Sequence, residues 1–191
     1  MHREDILDCA LNLLEQQGFT LVSLDMLADK LAVSVAQLQP FWPTGESLHY
    51  DCLHQHAGQI ESWRQKVLLD ETLDPQQKLL ARYRILGEQV RRGRYPGCLF
   101  VAACGFYPAI DHPIHQLAER QKQASYDFTF ALLTALDADD PAMVAQQMEL
   151  ILEGCLSKLL IKHRLQDVEV ARRLAEDVLR LSLCRKNGAL T

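Results

Sequence analysis

Apolar residues recur at three- and four-residue spacing along almost the whole chain and nowhere alternate, so the sequence can bury them only by packing helix against helix. Up to Gln17, the residues Ile6, Leu7, Ala10, Leu11 and Leu14 share one face, and Gly18 supplies the positive φ at which helices stop. Ser23 offers an N-cap oxygen to a short stripe of Leu24, Leu27, Ala28 and Leu31. A second capped segment follows Ala32, Val33 and Ser34, and two short helices joined by a tight turn make a helix-turn-helix over about residues 24–43. Phe41, Trp42 and Pro43 break the pattern before Thr44, the expected N-cap of a longer helix. Spacing alone also fits a plain three-helix subdomain.

Downstream the helical reading continues. Residues 46–69 carry Ile60, Trp63 and Val67 on one face, and Asp74 with Pro75 opens a helix whose stripe is Leu79, Tyr83, Leu86 and Val90. Further helices are expected from Gly97 to Phe106, from Pro113 through Leu136, from Asp140-Pro141 to about His163, and from Val168 to Arg185. At 191 residues and 48% hydrophobic content the chain forms either one unit or a small head on a larger domain. It has no run of eighteen apolar residues, and acids stand at positions 4, 5 and 8 where a signal peptide is apolar, so a soluble cytoplasmic protein with no membrane partner is expected. Cys9, Cys52, Cys98, Cys104, Cys155 and Cys184 are scattered without a C-x-x-C pair, which reads as buried thiols in a reducing compartment.

The order Gly18, Ser23-Leu24, Leu27-Ala28, Val33-Ser34, Leu38, Trp42, Thr44, Glu46 and Leu48 resembles the head of the TetR family of bacterial one-component transcriptional regulators. The stretch from Tyr95 to Ala103, followed by Phe106-Tyr107-Pro108 and Asp111-His112-Pro113-Ile114-His115, is similar to the helix 6 to helix 7 segment of one TetR subgroup, and the resemblance runs the length of the chain. It implies an all-α, nine-helix TetR-like fold, with a DNA-binding helix-turn-helix head in residues 1–50 and a helical ligand-sensing and dimerisation domain in residues 51–191. The implied function is that of a dimeric repressor whose grip on a double-stranded DNA operator is modulated by a small-molecule effector, with no catalysis and no cofactor.

Charge pulls against that shape. Residues 1–56 hold two bases, Arg3 and Lys30, against eight acids, whereas phosphate contacts usually demand a basic footprint. The chain also departs from the family pattern at Ala32 and Ala36, where glycine is usual, at Gln39 for tyrosine, and at Gly45 for a phosphate-directed lysine. Pro40 lacks an N–H and should cut the reading helix short. Leu38 and Trp42 fall on the buried face, which leaves Val35, Ala36, Gln37, Gln39 and Phe41 for the groove. Glutamine can read adenine and valine a thymine methyl. Ser34 and Thr44 are hydroxyls at helix starts, where phosphates are received. With Lys30 these make the candidate DNA contacts Lys30, Ser34, Val35, Gln37, Gln39, Phe41 and Thr44, and weak, strongly salt-sensitive binding to a palindrome is expected. A degenerate acidic head that contacts another protein is the alternative.

Trp63, Phe100, Cys104, Tyr107, Phe128 and Met148 are the candidate lining of an effector cavity, since such pockets are walled by apolar and aromatic groups. Residues 150–161 are apolar around most of their circumference, so one face remains for a partner after the other is buried, and Ile151, Leu152, Cys155, Leu159, Leu174 and Val178 are the candidate dimer interface. Asp111, His112 and His115 form a D-H-x-x-H array, read as a helix cap with surface histidines and no metal site. Arg84, Arg91, Arg92 and Arg94, with Lys78 and Arg82, gather positive charge that fits either a solvated helix end or an anion site.

Overall fold

The computed structural model describes residues 2–188, and all nine regular elements among them are α-helices. They are α1 (Arg3–Gln17), α2 (Leu24–Leu31), α3 (Val35–Leu38), α4 (Gly45–Leu69), α5 (Pro75–Arg91), α6 (Leu99–Phe106), α7 (Pro113–Ala135), α8 (Pro141–Lys162) and α9 (Leu165–Lys186). The chain divides into two compact units, residues 2–62 with Leu99–Lys122, and Trp63–Cys98 with residues 123–188. The segment carrying α6 therefore groups with the N-terminal helices, and α4 and α7 each contribute residues to both units.

In the first unit the stripe of α1 is buried as its spacing requires, joined by Leu13, and Gly18 at φ 76° ends the helix by donating its N–H to Leu14 O at 3.0 Å. Ser23 Oγ accepts from Met26 N–H at 3.2 Å and so starts α2. Ala32 ends α2 at φ 54°, a left-handed conformation that costs about 1 kcal/mol more for alanine than for glycine. Leu38 and Trp42 are buried, as are Leu27 of α2 and Leu48, Cys52 and Leu53 of α4. Thr44 caps α4 reciprocally with Ser47: Ser47 N–H donates to Thr44 Oγ1 at 3.1 Å and Thr44 N–H to Ser47 Oγ at 3.2 Å.

The second unit is built on Leu79, Tyr83, Leu86 and Val90 of α5, Leu132 and Leu133 of α7, and the inward faces of α8 and α9. Asp74 and Pro75 start α5 and Asp140 and Pro141 start α8, as their sequence signals indicate. Two expectations are corrected. The last helix begins at Leu165 rather than Val168, because its cap residue Arg164 makes no side-chain capping bond and so leaves no local signal. Leu152, Cys155 and Leu159, assigned to a dimer interface, lie in the core of their own chain, and Ile151 and Val178 pack against that core. The outward apolar residues are Met143, Leu150, Leu160 and Ile161 on α8 and Val170, Leu174 and Leu181 on α9, with Leu150 73% and Ile161 77% exposed.

Candidate nucleic-acid interface

α3 is four residues long, and Pro40, which has no N–H to donate, lies in the turn that follows it. Ser34 N–H donates to Gln37 Oε1 at 2.9 Å, and the Ser34 hydroxyl donates to the same oxygen at 3.2 Å. The spacing Ser34-x-x-Gln37 is the capping-box signature, so this pairing was legible in the sequence. It occupies the carbonyl oxygen that Gln37 would need for two-point contact with adenine. Gln39 lies exposed one residue past α3, and its side chain holds no hydrogen bond among the described residues. Beside it Phe41 is 43% exposed and tilts against Trp42 with ring centroids 5.7 Å apart. Val35 is half-buried, while Lys30, Ser34 and Thr44 are exposed. The structure thus brings Val35, Gln39 and Phe41 onto the short α3 turn and assigns the hydroxyls of Ser34 and Thr44 to caps.

Beneath this surface lies a cluster for which spacing gave no signal. Trp42 Nε1–H donates to Asp51 Oδ2 at 2.8 Å, Arg3 pairs with the same carboxylate, and the Arg3 guanidinium sits 5.3 Å from the Trp42 ring centroid. One of the two head bases is therefore engaged in an ion pair at the surface of the head.

Also unforeseen, His49 of α4 is buried with Nε2 2.7 Å from Val22 O and Nδ1 2.6 Å from the Tyr107 hydroxyl. Because a carbonyl can only accept, Nε2 carries the proton and Nδ1 accepts from Tyr107. Phe19, Phe106 and Tyr107 surround the imidazole with ring contacts, and burial pushes the Tyr107 phenol up to about 12, with Glu46 adding to the shift. Burial also lowers His49, against the opposing pull of Val22 O and Glu46, and lowers His56, which stacks on Phe100.

Both histidines are thus held neutral when folded and protonate at their ordinary 6.5 when unfolded. Their contribution to stability is whole above pH 6.5 and is lost as pH falls from there through the folded values. The melting temperature is expected to drop over that window, and His49→Gln to flatten the drop. An unchanged slope in the variant would exclude His49 as a source.

The remaining candidates divide between the units. Phe100, Cys104 and Tyr107 belong to the first, and Trp63, Phe128 and Met148 to the second, where Trp63 and Phe128 are 6.1 Å apart by ring centroid. Phe128 and Met148 line a 20 Å³ cavity with Arg82, Thr129 and Glu149, a polar group that the apolar criterion overlooked. Arg82 Nη1 donates to Ser125 Oγ at 2.8 Å, and Ser125 and Thr129 donate to Glu149 at 2.6 and 3.1 Å. In the D-H-x-x-H array the cap of α7 is His112 rather than Asp111: Ile114 N–H donates to His112 Nδ1 at 3.2 Å because the imidazole stacks on Tyr107 directly before the helix. His115 Nδ1 lies 2.9 Å from Tyr107 O, and no group of three metal-ligating side chains occurs among the described residues. No helix among them is long and apolar enough to cross a membrane.

No family model matches the chain. It is 56% identical over its full 191 residues, and over the full length of the relative, to the HTH-type transcriptional regulator YjdC of Escherichia coli K12. A TetR transcriptional regulator from Legionella pneumophila superposes with a TM-score of 0.84 at 16% identity, covering 94% of this chain and 97% of that one. A TetR-family transcriptional regulator from Streptomyces coelicolor superposes at 0.85 and 21%, covering 94% and 95%.

Proposed function

The chain belongs to the TetR family of helix-turn-helix transcriptional regulators, and from that premise we propose that it is a dimeric repressor which reads its operator chiefly through Gln39. As a DNA-binding regulator it is not an enzyme. The observation that carries the proposal is the unpaired Gln39 amide on an exposed turn, flanked by Phe41 and Val35. The amide can bond N6 and N7 of an adenine while the apolar neighbours meet thymine methyls. Residues 1–50 supply the reading head and residues 51–191 the sensing and pairing functions. The outward apolar faces of α8 and α9 support a two-fold pairing of chains.

Lys30 is then the main phosphate contact of each head, because Arg3 is held by Asp51 and Trp42. That engagement revises the strong salt sensitivity expected from the sequence. With one such cation per head, the slope of log K on log salt should be only about −2 for the dimer. In binding to genomic fragments that include the chain's own promoter, Gln39→Ala is expected to cut discrimination roughly 5- to 100-fold. Gln37→Ala should instead cost about 1 kcal/mol of head stability with discrimination kept. Equal loss in both variants would remove Gln39 as the reader. No binding at low salt would favour the second reading, a head that contacts protein, for which the excess of acids over bases speaks.

The effector, on this proposal, enters the second unit beside Phe128, Met148 and the Arg82–Glu149 group. A 20 Å³ space holds about one water and no ligand, so the effector prefers a state in which these walls have parted. Operator affinity falls as that state fills, by a change in the spacing of the two heads.

A further inference from the structure

Within the second unit, α5 and α9 enclose an open groove of about 780 Å³, inside the range typical of small-molecule sites. Its apolar wall is Leu73, Leu80, Tyr83, Leu165 and Val168. Four guanidinium groups line it as well, Arg84 and Arg91 from α5 and Arg172 and Arg173 from α9. Among the described residues only Arg172 of the four is in an ion pair, with Glu176 at 2.6 Å.

The acids of the groove do not cancel the rest. Asp74 is committed to capping α5, where it accepts from Gln77 N–H at 2.8 Å. Glu176 is committed to Arg172, which leaves Glu169 as the carboxylate in the lining with no such assignment. The fully exposed Asp70 acts on Arg84 only through solvent-screened charge. Gly87 belongs to the floor; a methyl group there would meet Arg91 Nη1 at 3.5 Å and Leu165 Cδ1 at 3.7 Å, so a larger side chain would take up groove space.

Arginine forks beside an apolar wall are the complement of an amphipathic anion, whose carboxylate, sulfonate or phosphate takes two-point hydrogen bonds while its hydrocarbon body covers the wall. We propose that the α5–α9 groove is a binding site for a small amphipathic anion, with Arg84 and Arg173 holding the charged group and Leu80, Leu165 and Val168 the apolar body. The cluster of arginines late in α5, which DNA contact by the head does not use, thereby acquires a partner on α9. The site is separate from the cavity at Phe128 and Met148, with which it shares only Tyr83.

The test uses the full chain with two fluorescent probes, 1-anilinonaphthalene-8-sulfonate and its uncharged relative N-phenyl-1-naphthylamine. The sulfonate should bind one per chain and more tightly than the neutral probe, with affinity falling as salt rises. Arg84→Gln with Arg173→Gln should weaken the sulfonate by about tenfold per guanidinium removed and leave the neutral probe unchanged. Both positions are exposed, so an unaltered thermal melt is expected to accompany the loss. Gly87→Leu should exclude both probes. Equal sulfonate affinity in the double arginine variant would overturn the proposal, as would a neutral probe that matches the sulfonate on the unmodified chain.

Discussion

Leu150→Glu combined with Leu174→Glu is expected to leave the chain monomeric and to abolish operator binding. Leu150 on α8 and Leu174 on α9 are 73% and 49% exposed, so the substitutions burden the isolated chain little. In a two-fold pair each leucine occurs twice. Burial contributes roughly 1.5–3 kcal/mol per leucine, so four lost burials raise the dissociation constant by about four orders of magnitude or more. The buried carboxylates add a further penalty. Light scattering should report a species of 21.7 kDa in place of one twice that mass. Leu152→Ala provides the contrast. That side chain is in the chain's own core, so the change should lower thermal stability by about 2–5 kcal/mol and leave the dimer intact. A double glutamate variant that still migrates as a dimer would place the interface elsewhere.

Trp42→Ala is expected to dismantle the head while the dimer persists. Trp42 is fully buried, and truncating a residue of this size in a packed interior costs about 3–5 kcal/mol. The loss also strips Asp51 of its indole donor and Arg3 of the ring it faces. Trp42→Phe keeps most of the volume and removes the N–H, so it should cost about 1–2 kcal/mol. Hydrogen exchange in residues 2–56 should accelerate in the alanine variant, operator binding should vanish, and the molecular mass should stay that of the dimer. Undiminished affinity for the operator would show that the packing around Trp42 does not hold the reading turn.

What the sequence disclosed and what it concealed follow from the range of the forces involved. Helix ends at Gly18, Ser23, Asp74 and Asp140 are set by residues within four positions of one another, and all were readable. So was the short α3, since Pro40 acts on its own turn. On α8 apolar residues surround the helix, and periodicity cannot say which face meets its own chain. Leu152 and Leu150 are equally apolar, yet one is in the core and the other in solvent. His49 and Tyr107 are 58 residues apart, and Arg3 and Asp51 are 48 apart, so no window of local pattern could pair them. Gln37 is a different case. Its capping signal is present at three-residue spacing, but the same residue type at the same place also fits a groove contact, and spacing does not choose between them.

The burial of Trp42 also bears on how the molecule can be observed. The chain has two tryptophans, and the structure assigns one to each unit, Trp42 fully enclosed in the first and Trp63 half-buried in the second. An enclosed indole emits at shorter wavelength than one in contact with water, so the short-wavelength edge of the intrinsic fluorescence is expected to weight the first unit and the long-wavelength edge the second. Denaturation followed at both wavelengths therefore tells whether the units melt together or in turn, with no label attached.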